Sequence, residues 1–120
     1  MIELVLESRG KILGIKVRRR LSEHDFADVL VPHLDWIIQE HGKGKLLFSM
    51  EGDVQDPDPG SPWEAKAFGT RYGDDIEKLA VAGSGSWAEW GTQLSAHFAK
   101  IETKVFSPGE WDQALDWLTG

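Results

Sequence analysis

Gly83-Ser84-Gly85-Ser86-Trp87-Ala88 is the stretch whose spacing most resembles a chemical device. It fits the pattern G-x-G-x-x-G/A, in which glycines let backbone amides approach a phosphate at a helix N-terminus. The rest of a dinucleotide fingerprint does not follow. The turn is not on the first strand of a doubly wound unit, the next strand ends without an acid for a ribose, and bulky Trp87 sits in the turn. Gly83, Ser84, Gly85 and Ser86 are therefore read as a glycine-rich turn, with anion binding as the alternative. His24, His33, His41 and His97 lie on different elements without the i, i+4 pair of a helical zinc site. His33 falls on an apolar stripe, which predicts a hydrogen-bonded, partly buried ring rather than a ligand or base. Asp53, Asp56 and Asp58 lack calcium-loop spacing, two prolines interrupt them, and no closing glutamate follows, so they read as a solvated acidic loop. No Gly-x-Ser-x-Gly elbow, Walker loop or HExxH is present. No catalytic residue, metal ligand or cofactor is assigned, and an enzyme is not expected; a hydrolase or transferase using His33 or the acidic loop is the least favoured reading.

The elements that must hold these residues follow from periodicity and punctuation. Ile2 to Glu7 alternates apolar and polar side chains, Arg9-Gly10 punctuates, and Ile12 to Val17 repeats the alternation, which predicts a β-hairpin. Ser22, with Asp25 three residues on, forms a capping box in which Asp replaces the usual Glu or Gln. Phe26, Val29, Leu30, His33, Leu34, Ile37 and Ile38 then share one helical face, kinked at Pro32 and ended at Gly42. Lys45 to Glu51 is a third strand and residues 52–61 a surface loop. Ser61-Pro62-Trp63-Glu64 signals a helix with an N-cap serine and proline at the first helical position, and Ala65, Phe68 and Tyr72 mark its buried face. Ile76 to Gly83 is a fourth strand. Its Leu79-Ala80-Val81-Ala82 run lacks alternation, as a central strand covered on both faces would. Trp87, Trp90, Gly91 and Leu94 face inward on a third helix, Ile101 to Phe106 is a fifth strand, and Ser107-Pro108-Gly109-Glu110 opens a last helix with Trp111, Ala114, Leu115 and Leu118 inward. The order ββαβαβαβα predicts an α/β fold with a small, mostly parallel five-stranded sheet, a hairpin edge at the N-terminus and four helices.

A chain of 120 residues has room for one packed core, so residues 1–120 are read as a single domain. There is no cysteine, which excludes a disulfide framework and thiolate chemistry and favours the cytoplasm. The start, Met-Ile-Glu-Leu-Val-Leu-Glu, has neither a basic leader nor a long apolar run, and no stretch predicts membrane insertion. A net charge of −7 repels phosphate backbones, so no nucleic-acid partner is expected. The basic cluster Lys16, Arg18, Arg19 and Arg20 has no interleaved aromatics and reads as a solvated strand end, with contact to an anion or acidic partner as the alternative.

Ile76-Glu77-Lys78-Leu79-Ala80-Val81-Ala82-Gly83, then Trp87 and Trp90, then Lys104-Val105-Phe106, then Ala114-Leu115-Asp116-Trp117-Leu118 resemble, in order and spacing, the SpoIIAA-like family. Its fold is shared by STAS domains, such as the bacterial anti-sigma factor antagonists, and by lipid-carrying CRAL-TRIO domains. The resemblance runs over nearly the whole chain. It implies a SpoIIAA/STAS-like fold and carries no biochemical activity. The family pattern has an aspartate just after the glycine of the fourth strand, so Ser84-Gly85 is a local variation. Anti-sigma factor antagonists work as phosphoswitches, with a serine after the third strand, at the start of the next helix. Here Glu51-Gly52-Asp53-Val54-Gln55 takes that place. Ser61 is the nearest equivalent; it reads as a helix N-cap, with a phosphoswitch as the alternative.

Six tryptophans in a chain this short are the remaining oddity. Trp87, Trp90 and Trp111 fit inward stripes, whereas Trp36, Trp63 and Trp117 lie off theirs and are expected to offer an exposed interaction surface. The chain is therefore read as a non-enzymatic protein-interaction or regulatory module, expected to form a homodimer or to bind an unidentified protein partner. The alternative is a binder of a small lipid-like or anionic ligand, held between the first helix and the sheet.

Overall fold

The computed structural model describes residues 1–120, with every side chain except that of Arg9. Five strands, β1 (Ile2–Glu7), β2 (Ile12–Arg18), β3 (Gly44–Glu51), β4 (Ile76–Ala82) and β5 (Glu102–Phe106), form one sheet in sequence order. β1 and β2 pair antiparallel, with Leu4 opposite Ile15; β2 to β5 are all parallel. β4 is interior, as its unbroken apolar run requires, but the middle of the sheet is β3.

Four helices, α1 (Val31–His41), α2 (Ala65–Tyr72), α3 (Ser86–His97) and α4 (Trp111–Thr119), follow β2, β3, β4 and β5. Each of the first three crossovers steps one strand over in the same direction, so a constant hand stacks α1, α2 and α3 on one face. There Leu34, Ile37, Phe68, Trp90 and Leu94 pack on Leu13, Ile15, Leu46, Phe48, Leu79 and Val81. α4 alone covers the other face, setting Ala114 and Leu118 on Ile12, Leu47, Ala80 and Ala82. Lys45 and Lys78, from β3 and β4, donate from Nζ to the carbonyls of Leu118 and Trp117 at 2.8 and 3.2 Å, filling acceptors left open at the α4 C-terminus.

The capping box at Ser22 forms as expected. The Ser22 amide donates to the Asp25 carboxylate and the Asp25 amide to the Ser22 hydroxyl, both at 3.1 Å. Instead of a kink at Pro32, the chain widens into a π turn over Asp25–Leu30, where the Val31 amide donates to the Phe26 carbonyl. Proline lacks the donor for the carbonyl four residues back and its ring crowds that carbonyl; five-residue bonding makes the room. The wider turn also narrows the apolar stripe to Phe26, Leu30, Leu34 and Ile37, and His33 is turned out to solvent.

Both Ser-Pro-x-Glu segments depart from the predicted helix start in the same way. The amides of Glu64 and Glu110 donate to the carbonyls of Ser61 and Ser107, closing four-residue turns, and the helices begin one residue after each glutamate. A proline with its φ fixed near −65° suits the second position of such a turn as well as a first helical position. Glu64 and Glu110, not the serines, are the N-cap residues, and their carboxylates accept the amides of Gly60 and Ser107.

Candidate interaction surface at the sheet edge

Placed in this fold, the sequence-derived residues separate rather than converge. Trp63 corrects the expectation of an exposed ring: it is 0% exposed. Helical periodicity does not apply to it, because it lies in the turn before α2. That turn tucks its indole edge-on against Phe26 at 5.1 Å and Phe48 at 6.3 Å, with Nε1 donating to the Ser22 carbonyl at 2.7 Å. Trp90 donates in turn to the Trp63 carbonyl at 2.8 Å, and Phe68 and Tyr72 complete an aromatic cluster over β3. Trp117 is half-buried against Phe106 at the β5 end, beneath Lys78. Trp36 is 51% exposed at the β1 end. The three tryptophans therefore do not form one patch.

The Ser61 hydroxyl is buried and has no hydrogen-bond partner among the described residues, in a residue only 6% exposed. A kinase would have to open this turn to reach it. The turn at Gly83, Ser84, Gly85 and Ser86 sits at the C-terminal ends of the parallel strands, and its last hydroxyl is already taken. Ser86 donates to the carboxylate of Asp56, and Trp87 donates to the Val54 carbonyl at 3.1 Å, so the acidic loop is latched over the start of α3 by the protein's own anion. The basic cluster is likewise drawn into internal contacts. Arg18 meets Glu51 at 2.9 Å, Arg20 meets Asp58 at 3.4 Å, and Lys16 lies 5.2 Å over the Trp111 ring. His33 donates from Nδ1 to the Val29 carbonyl at 2.7 Å on the helix exterior. Among the described residues, no three His, Asp or Glu side chains are grouped as a metal site needs.

Two titrating groups are displaced from their ordinary values. Burial alone would raise the Asp25 carboxyl, but the Ser22 amide, the N-terminal ammonium 3.1 Å away and the Ser22 hydroxyl together hold it below the usual value. Burial, with the Asp35 charge, pushes the Tyr72 phenol up against the opposing pull of Arg71. Both groups support the α1 side of the core, and neither lines a cleft with a nucleophile.

The β1 edge gathers exposed apolar groups. Leu6 is 52% exposed, and with Pro32, His33 and Trp36 it lines a hollow of about 160 Å³. Gly10 (φ +86°) carries the hairpin past the Trp36 ring, 4.0 Å from where a Cβ would stand. The sequence held a signal for this surface that the tryptophan count obscured: Ile-Glu-Leu-Val-Leu-Glu is an edge strand without lysine or proline to discourage pairing. Between α1 and the body of the sheet Leu34 and Ile37 are fully buried, and the hollow that α1 shares with the sheet lies at the β1 edge. A groove of about 470 Å³ instead opens between α2 and α3, lined by Ala65, Lys66, Thr70, Gln93, His97 and Phe98.

A strictly sequential five-stranded sheet, with three helices on one face and one on the other, defines a class of small α/β domains. A family model described as SpoIIAA-like matches residues 12–119, and the chain belongs to that family. It is also similar to the crystal structure of an uncharacterized protein from the DUF3478 family with a SpoIIAA-like fold, from Shewanella loihica PV-4. The TM-score is 0.66 and the identity 24%, over 98% of this chain and 92% of that one, a likeness of fold. No curated protein matches the chain. Among the described residues, no helix is long and apolar enough to cross a membrane.

Proposed function

We propose that this SpoIIAA-like domain is a non-enzymatic protein-interaction module that acts as a homodimer in the cytoplasm. The observation that carries this reading is the apolar ground of Leu6 and Trp36, 52% and 51% exposed, beside an edge strand with unused hydrogen-bonding groups. A large ring flanking an unguarded strand edge is what β-augmentation uses, with main-chain bonds giving affinity and side chains specificity. The lack of cysteine supports a reducing compartment. Trp36 is the reporter: its fluorescence should blue-shift and lose acrylamide quenching as protein concentration rises, and Trp36→Phe should remove that change. Emission and quenching independent of concentration would overturn the homodimer.

The groove between α2 and α3 favours a second reading, a small lipid-like or anionic ligand. Its volume falls within the range of ligand sites, its floor at Ala65 and Phe98 is apolar, and Lys66 and His97 stand beside it to meet a carboxylate. A medium-chain fatty acid should raise the melting temperature of the wild type and not of Lys66→Glu. A flat response in both contradicts this reading.

A further inference from the structure

The Arg18 amide donates to the Met1 carbonyl at 3.0 Å, and residues 1 and 18 are opposite in the β1–β2 register. In an antiparallel ladder, bonded and non-bonded pairs alternate. Glu3, Val5 and Glu7 therefore spend their backbone groups on β2, while those of Ile2, Leu4 and Leu6 point away from the sheet. The side chains of the same three residues lie on the α1 face, because Leu6, Leu4 and Ile2 pair with the core residues Leu13, Ile15 and Val17.

Resting on the interaction-module reading above, we propose that β1 of a second copy occupies this edge. The strands pair antiparallel about a two-fold axis at Leu4, so that Ile2 of each copy lies opposite Leu6 of the other. Three constraints select this arrangement. Free backbone groups on Ile2, Leu4 and Leu6 require even-numbered residues to face even-numbered ones. The same parity joins the apolar rows of the two copies on one face, bringing Ile2 of the second copy to the hollow beside Trp36. Overlap and charge then fix the register, since an axis at Ile2 or Leu6 pairs only one end of the strand. An axis at Glu3 sets that carboxylate against itself, and an axis at Val5 sets Glu3 against Glu7 twice; like charges directly opposed destabilise a sheet. The axis at Leu4 sets Glu3 against Val5 and leaves no acid facing an acid. The opposite edge is less receptive, since β5 is one residue shorter and carries Lys104 at its middle. A two-fold pairing at β1 therefore closes on itself as a ten-stranded sheet rather than growing into a fibre.

The chain has no cysteine, so single-cysteine variants report the register without background. Bonded antiparallel partners stand about 5.5 Å apart at Cα, within the span of a disulfide. Leu4→Cys should lose most of its monomer to a disulfide-linked dimer on mild oxidation. Leu6→Cys, about 14 Å from its own copy in this register, should not link. Leu4 also contacts the core, so hydrogen exchange on the unmodified protein provides a second measure. With rising concentration the amides of Ile2, Leu4 and Leu6 should slow, while those of Glu3 and Val5, already bonded to β2, should not. A dimer that links best through Val5→Cys, or that protects none of the three even-numbered amides, overturns the register and leaves the interaction module standing. A chain that stays monomeric overturns both.

Discussion

Gly69 shows how tightly single residues are constrained on the helical face. A Cβ at this position would stand 2.3 Å from the Phe98 ring, with three ring atoms inside 2.6 Å, so the glycine is the notch into which Phe98 seats α3's end against α2. Gly69→Ala should lower stability by about 1–3 kcal/mol, the usual cost of overpacking, and Phe98→Leu should recover part of it in a denaturant titration of the double variant. Asp25 makes a prediction about pH. Its folded pKa lies below the unfolded value of about 3.9, so it contributes stability present above that pH and lost as pH falls through the folded pKa. Asp25→Asn should therefore be less stable at neutral pH, with a urea midpoint that falls less on acidification than that of the wild type. Parallel acid limbs in the two proteins would remove Asp25 from that role. At this scale the sequence was legible where one local interaction decides, as at Ser22 and Asp25. It was not legible at Trp63, whose burial depends on Phe26, Phe48 and the Ser22 carbonyl, all distant in the chain.

Among the elements, strand positions were readable almost to the residue. The alternation in β1 and the unbroken apolar run in β4 each reflect which faces are covered, whereas β2 is buried on both faces despite its alternation. Helix starts were less readable, because proline after serine satisfies a turn and a helix N-terminus equally well. The structure resolves this by making Glu64 and Glu110 the caps. Glu110→Ala should cost about 1 kcal/mol by unpairing the Ser107 amide and loosening the turn that leads into α4, whereas Ser107→Ala should cost little, since it is the Ser107 backbone amide that meets the carboxylate. Thermal melts of the two variants give the order; equal losses would return the cap to the serine. The π turn before α1 was signalled only as a disturbance at Pro32. Whether proline kinks a helix or widens it depends on what the displaced turn packs against, here Phe26 on Trp63 and Tyr72.

For the whole molecule, the strand order, with β3 rather than β4 in the middle, emerges only in the folded chain, whereas the antiparallel N-terminal hairpin and the parallel crossovers follow from short connections and a constant crossover hand, and so could be read in advance. The candidate surface could not. Leu6 and Trp36 are thirty residues apart in sequence and meet only because β1 is the outermost strand and α1 lies beside it. Two copies each carrying −7 repel, so association through this edge should tighten as salt screens the charge, the reverse of an ion-paired interface. The most direct measurement is sedimentation velocity of the wild type beside Leu6→Lys, which places a charge on a side chain already half in solvent and leaves the β1–β2 bonds intact. The wild type should sediment as a dimer at micromolar concentration, more so at higher salt, and Leu6→Lys as a folded monomer. A wild type that remains monomeric at every concentration, or a Leu6→Lys variant as dimeric as the wild type, would contradict the assignment of this edge as the protein's interaction surface.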